Sequence, residues 1–128
     1  MKILFKILQV LLALFLIYAG IQHFLKPTFY EPFVPSFLPF KTGIVYISGA
    51  VEIILGTFLM VPKYTKMAAT GIIILMLMFL PIHIWDVFSD TPAIGSHQVA
   101  LIRLPFQFLF IGWAYTIRRF AIKHRKKN

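Results

Sequence analysis

The chain has 128 residues, of which 59% are hydrophobic and 13% are charged, and its mean hydropathy is +0.83. A soluble domain carries roughly 25% charged residues, and the apolar residues here form long runs rather than amphipathic stripes, which excludes an ordinary soluble domain and indicates membrane spans. There is no cysteine, so disulfides, thiolate metal sites and dithiol redox chemistry within the chain are excluded.

The first predicted helix covers about residues 3–25 and follows Lys2 and Lys6. Its start is similar to a signal peptide, but the apolar part is longer than an h-region, and Tyr18-Ala19-Gly20 is a poor cleavage site. We expect it to remain as an uncleaved span.

Residues 26–42 form a connection rich in proline and aromatic residues, and its four prolines predict that it is not a regular helix. Aromatic residues at this density suit the membrane interface or a lid over the outer end of a helix bundle, and the sequence leaves both open.

Three further spans are predicted at about 43–61, 67–88 and 99–117, followed by a basic tail at 118–128. Pro81 is expected to kink the third span. Ten of the thirteen basic residues would then lie on one side of the membrane, which the positive-inside rule makes cytoplasmic. Both termini would be cytoplasmic, and the net charge of +9 reflects topology and lipid contact rather than nucleic-acid binding.

Glu52 lies near the middle of the second predicted span. An ionised carboxylate at that depth costs a few kcal/mol or more, so it normally faces the bundle interior and has a partner. Ser48, Gly49 and Gly56 share the helix face of Glu52 and would let a neighbouring helix approach closely.

Polar residues of the other three spans fall in the same outer half as Glu52, whereas the inner half is almost pure hydrocarbon. They are His23 on the first span, His83 and Asp86 on the third, and Arg103 and Gln107 on the fourth. One interpretation is a structural network in which Glu52 pairs with Arg103. The other is a small cavity that binds a lipid headgroup or the carbonyls of a quinone.

Other chemistries have less support. His83 and Asp86 have the helical spacing of metal ligands, and His23 or His97 would add a third, but two such residues on one helix are common by chance, so no metal site is predicted. No base accompanies Ser48, so nucleophilic catalysis is not indicated.

Several motifs in order resemble the DoxX-like family of small bacterial four-helix membrane proteins. They are Ala19-Gly20-Ile21-Gln22-His23-Phe24, Pro27 with Phe29-Tyr30, Ser48-Gly49-x-x-Glu52-x-x-x-Gly56, Pro62, and Arg103-Leu104-Pro105-Phe106-Gln107. Leu80-Pro81-Ile82-His83 departs from the Pro-Ala-Asn-like stretch expected of relatives. The resemblance implies a four-helix membrane fold and, for some relatives, quinone-linked or oxidative-stress partners.

The sequence therefore predicts an all-α, integral membrane four-helix bundle, residues 1–128 as a single domain, in the inner (plasma) membrane. We expect an accessory protein, not an enzyme on its own, that binds a quinone or lipid and has a membrane redox partner or a second copy as its protein partner. The predicted ligand-binding residues are Glu52, Arg103, Gln107, His83, His23, Asp86 and Ser48. The alternatives are a structural subunit with a Glu52/Arg103 polar core and a small-solute transporter.

Overall fold

A computed structural model describes residues 2–34, 37–90, 92 and 95–125, and these residues form a helical structure. The helices are α1 (Lys2–Leu25), the short α2 (Pro27–Tyr30), α3 (Lys41–Leu59), α4 (Thr65–Phe88) and α5 (His97–Arg125). Turns of 3₁₀ helix cover Glu31–Phe33 and Pro62–Tyr64. Four of the helices are long and apolar enough to cross a membrane, and they overlap the four predicted spans.

The long helices pack in the cyclic order α1, α3, α4, α5. The most extensive interfaces are those of α1 with α3 and of α4 with α5, and the α1–α5 interface is the smallest of the four. The bundle is thus two closely packed helix pairs with a looser junction between α1 and α5.

Glycines bring α1 and α3 together. A Cβ on Gly20 would lie 2.5 Å from the carbonyl oxygen of Gly49, and a Cβ on Gly56 would lie 2.9 Å from the carbonyl oxygen of Ala13. Such backbone contact requires small residues on both helices, as the sequence pattern around Glu52 indicated.

The half of the bundle at which α1 begins and α5 ends was predicted to be almost pure hydrocarbon, and it contains a few polar contacts between helices. The side-chain amide of Gln9 donates to the carbonyl of Leu59 and to the hydroxyl of Thr65. The indole N–H of Trp113 donates to the carbonyl of Leu8 over 3.0 Å. Because these bonds join helices far apart in sequence, they hold α1 against its neighbours at this inner end of the bundle.

The connection between α1 and α3 contains more helix than predicted. Pro27 and Pro32 each stand in the first turn of a short helical segment, where the missing N–H has no intrahelical partner to lose. Proline therefore starts these turns instead of preventing them.

The fourth long helix differs from the prediction in its extent. α4 runs through Pro81 over nearly the predicted span, whereas α5 runs to Arg125, so the first part of the predicted basic tail is helical. Hydropathy marks where a helix leaves apolar surroundings, not where its backbone hydrogen bonds end.

Candidate functional site

A cavity of about 460 Å³ lies in the outer half of the bundle, between the ends of the four long helices and the α2 connection. Most of its wall is apolar, from residues such as Leu16, Ile72 and Phe110. Six of the seven predicted ligand-binding residues line it: His23, Ser48, Glu52, His83, Arg103 and Gln107. The size and lining are those of a small-molecule site.

Glu52 is 5% exposed, and its closest titratable neighbour is His23. The distance from Glu52 Oε2 to His23 Nε2 is 3.6 Å. Gly20 and Gly49 allow this approach, because a Cβ on Gly49 would lie 2.7 Å from the Cβ of His23. The small residues beside Glu52 thus place the histidine of α1 opposite the carboxyl group of α3.

Hydrogen bonds on the other ring nitrogen orient His23. Its Nδ1 lies 3.1 Å from the carbonyl oxygen of Val45 and 3.0 Å from the hydroxyl oxygen of Ser48. The Ser48 hydroxyl itself donates to the Val45 carbonyl over 2.9 Å. A carbonyl only accepts, so Nδ1 carries a hydrogen and donates to it. The other ring nitrogen, Nε2, then faces Glu52.

Two buried polar atoms on the cavity wall have no hydrogen-bond partner among the residues that the structure describes. They are Glu52 Oε2 and His83 Nδ1. The 3.6 Å contact with His23 is within ion-pair range but is too long for a hydrogen bond. Leaving a buried polar group unsatisfied costs about 1–3 kcal/mol, more if it is charged. Two such atoms on one cavity indicate a place where a ligand or water supplies hydrogen bonds.

Arg103 lines the same cavity but does not form the predicted ion pair with Glu52. Within the described part of the chain, no oxygen of Glu52 lies within 4.0 Å of its guanidinium nitrogens. The guanidinium carbon instead lies 4.6 Å from the centre of the Phe33 ring. The side chain is partly buried, and it contributes the one guanidinium group among the residues that line this cavity.

Gln107 connects α5 to α4. Its amide nitrogen donates to the Met76 carbonyl over 2.9 Å and lies 3.4 Å from the Met76 sulfur. The amide is thereby oriented, and its carbonyl oxygen is left to accept from other groups.

Asp86 is the predicted site residue that does not line the cavity. It is 5% exposed and lies one turn beyond His83 on α4. The described residues contain no group of three or more His, Asp or Glu side chains placed to hold a metal ion, so the His83–Asp86 spacing gains no support as a metal site.

Aromatic residues of the α2 connection cover the outer end of the cavity. The Tyr30 ring lies 4.1 Å from the ring of His23, and the Phe33 ring lies 6.4 Å from that of His83. Burial raises the pKa of the Tyr30 phenol, and the charge of Glu52 adds to this while Arg103 opposes it. Phe37 and Phe40 are 82% and 85% exposed. The first half of the connection therefore covers the cavity, and two aromatic rings of its second half are exposed; their place at a membrane interface stays a prediction.

Sequence reasoning placed Tyr30 and Phe33 in a candidate lid but not among the ligand-binding residues. The signal was the Phe/Tyr density of residues 26–42, which does not say which rings turn inward. The carbonyl of Val45 had no sequence signal, because every residue has one.

Comparison with known proteins gives one result about family. No curated protein and no solved structure matches the chain. Residues 12–118 match the model of a domain of unknown function, DUF8561. This match covers most of the chain and includes every residue that lines the outer cavity. The chain belongs to the DUF8561 family.

Proposed function

We propose that the protein is a four-span membrane protein whose outer cavity binds a small amphipathic molecule, with the polar head of that molecule between Glu52, His83 and Arg103. It acts as a non-catalytic, accessory component of the membrane. The observation that carries the proposal is a pair of buried atoms on one cavity, Glu52 Oε2 and His83 Nδ1, which have no hydrogen-bond partner among the described residues.

The surface of the bundle supports membrane insertion. Large apolar side chains are exposed along the long helices, including Ile47 at 67%, Met78 at 66% and Trp85 at 76%. In water this surface would be an aggregation hazard, whereas in a bilayer it is ordinary. Lys2, Lys6, Lys63 and Lys66 gather at the inner end, which favours a cytoplasmic location for both termini in a plasma membrane.

The donors and acceptors in the cavity define the ligand's headgroup. The Arg103 guanidinium only donates, so it suits a carbonyl or phosphate oxygen. Glu52 Oε2 accepts when ionised, and the unpartnered His83 Nδ1 accepts or donates according to its tautomer. A headgroup that can both accept and donate hydrogen bonds satisfies all three. A quinone offers only carbonyl acceptors and its reduced quinol form offers hydroxyl donors, whereas a glycerolipid with a free hydroxyl offers both.

The cavity wall supports entry from the bilayer. Phe15 of α1 and Phe106 of α5 both line the cavity, and they are 53% and 51% exposed. Phe15 also contacts the rings of Phe110 and Trp113 of α5, at the junction where α1 and α5 have their small interface. A ligand with an apolar tail would therefore enter sideways, with the tail left between these two helices.

The chain matches DUF8561, and the DoxX-like resemblance remains a prediction. The quinone ligand and the membrane redox partner also remain predictions. They are consistent with the proposal in one respect only, because a quinone is an amphipathic molecule with carbonyl groups.

The test is mass spectrometry of organic extracts from the protein purified in mild detergent. Glu52→Gln keeps the shape of the side chain, but the carboxylate is lost. Gln9→Leu is the matched control, because it removes part-buried hydrogen bonds at the inner end and leaves the outer cavity intact.

We expect one compound near equimolar with the wild-type protein and with Gln9→Leu, and at least tenfold less of it with folded Glu52→Gln, since a charge-assisted hydrogen bond contributes about 1.5–3 kcal/mol. The same lipid mixture in all three extracts would assign Glu52 to a structural network and refute the binding site.

A further inference from the structure

A second cavity of about 460 Å³ lies at the inner end of the bundle, far from Glu52. Its wall comes from α1, the Pro62–Tyr64 turn, α4 and α5. None of its lining residues belongs to the outer cavity.

Three lysines on three different elements surround this inner cavity. Lys6 belongs to α1, Lys63 to the Pro62–Tyr64 turn and Lys66 to α4. All three are exposed, and Lys63 also lies 5.6 Å from the centre of the Tyr64 ring. Their positive charges therefore act on one opening.

No acidic side chain of the described residues balances these charges. The cavity wall contains no acidic residue, and none of the three lysines forms an ion pair within the described ranges. The four acidic residues of the chain all belong to the outer half: Glu31, Glu52, Asp86 and Asp90. The uncompensated positive charge favours an anionic ligand at this site.

The remainder of the wall is mostly apolar. Val10, Met60, Ile117 and Ala121 contribute to it, and the rings of Phe5 and Phe120 stack at 3.9 Å beside them. A cationic rim above an apolar wall matches a molecule that is anionic at one end and hydrocarbon at the other.

We propose that the inner cavity binds an anionic phospholipid, with its phosphate among Lys6, Lys63 and Lys66 and part of an acyl chain against the apolar wall. Ammonium groups bind phosphate as point charges, and basic pockets between membrane helices are typical sites for anionic headgroups. The proposal rests on membrane insertion but not on the outer cavity having a ligand, so either site can fail alone.

The experiment is native mass spectrometry of the full chain, delipidated and then titrated with phosphatidylglycerol or phosphatidylcholine in detergent micelles. The test variant is Lys6→Gln/Lys66→Gln. The control is Lys26→Gln/Lys41→Gln, which has the same change in charge at two exposed lysines of the outer end.

The wild-type protein and the control are expected to bind one phosphatidylglycerol in preference to phosphatidylcholine. The affinity of the test variant for phosphatidylglycerol should fall about 25-fold, because two lysines are lost and each basic residue near anionic lipid strengthens binding about fivefold. Equal losses in the two double variants would show only a general charge effect and overturn the proposal.

Two further arms separate a lipid site from an anion site. Ala121→Phe fills the apolar wall without changing charge, and it should weaken phosphatidylglycerol binding while circular dichroism shows an intact fold. Inorganic phosphate should not displace the lipid. Unchanged binding by Ala121→Phe, or displacement by millimolar phosphate, would contradict a phospholipid as the occupant.

Discussion

The close approach of α1 and α3 gives a sharp prediction, because the two glycine variants Gly20→Ala and Gly112→Ala should have different effects on stability. A Cβ on Gly20 would lie 2.5 Å from the Gly49 carbonyl oxygen, 0.9 Å inside the 3.4 Å at which ordinary contact begins. A Cβ on Gly112 would meet no atom within 4 Å. The first change therefore pushes two backbones apart, and the second does not.

The expected magnitudes follow from two terms. Replacing glycine by alanine inside a helix favours folding by roughly 0.5–1 kcal/mol at either position. Overpacking at Gly20 costs about 1–3 kcal/mol, since the atom it meets belongs to the backbone and cannot rotate away. The free energy of unfolding should thus be lower for Gly20→Ala than for Gly112→Ala by about 1–3 kcal/mol.

The assay is reversible unfolding in one detergent, followed by far-ultraviolet circular dichroism, for the wild-type protein and both variants. The propensity term is common to both variants, so their difference isolates the helix contact. Equal stabilities for the two variants would refute the close approach of α1 and α3 and, with it, the placement of His23 beside Glu52.

Three further substitutions test individual contacts. Trp113→Phe removes the hydrogen bond to the Leu8 carbonyl and should lower the free energy of unfolding by about 1 kcal/mol in the same unfolding assay. If the amount of ligand recovered by extraction is unchanged, this bond does not contribute to the outer ligand site. Gln107→Leu removes the bond to the Met76 carbonyl and should lower both stability and the ligand recovered by extraction, whereas full recovery would exclude the Gln107 amide from binding. Phe33→Leu removes the aromatic ring that contacts the Arg103 guanidinium, a cation–π contact that contributes about 0.5–2 kcal/mol. The bound ligand should then exchange faster when the protein is mixed with labelled lipid extract. An unchanged exchange rate would argue that Phe33 does not cover the cavity.

The helices and the inward face of Glu52 were predictable because they depend on composition and on spacing along one helix. Runs of about 20 apolar residues define spans, and Ser48, Gly49 and Gly56 share a face with Glu52 by helical periodicity alone. The convergence of polar groups in the outer half followed from the rise per residue.

The partner of Glu52 was not predictable in the same way. A helix turns by about 100° per residue, so an error of one residue in rotation decides whether Glu52 faces Arg103 on α5 or His23 on α1. Packing settles this, because Gly20 and Gly49 draw α1 onto α3 while α5 packs mainly on α4.

Asp86 shows the same limit at the level of the site. It shares a helix face with His83 by spacing, yet only His83 lines the cavity. Residues that share a helix face extend over several turns, whereas a cavity of this size contacts only some of those turns.

Photo-crosslinking from α5 tests the central claim most directly, because it reports where the ligand lies. Phe106 and Phe108 are 51% and 54% exposed on the same helix, but only Phe106 lines the outer cavity. Each would be replaced by benzoylphenylalanine, irradiated in membranes, and its adducts identified by mass spectrometry. We predict one dominant amphipathic adduct at position 106, lost when Glu52→Gln is added, and a mixture of bulk lipids at position 108. The same lipid mixture at both positions, unaffected by Glu52→Gln, would contradict a ligand site in the outer cavity.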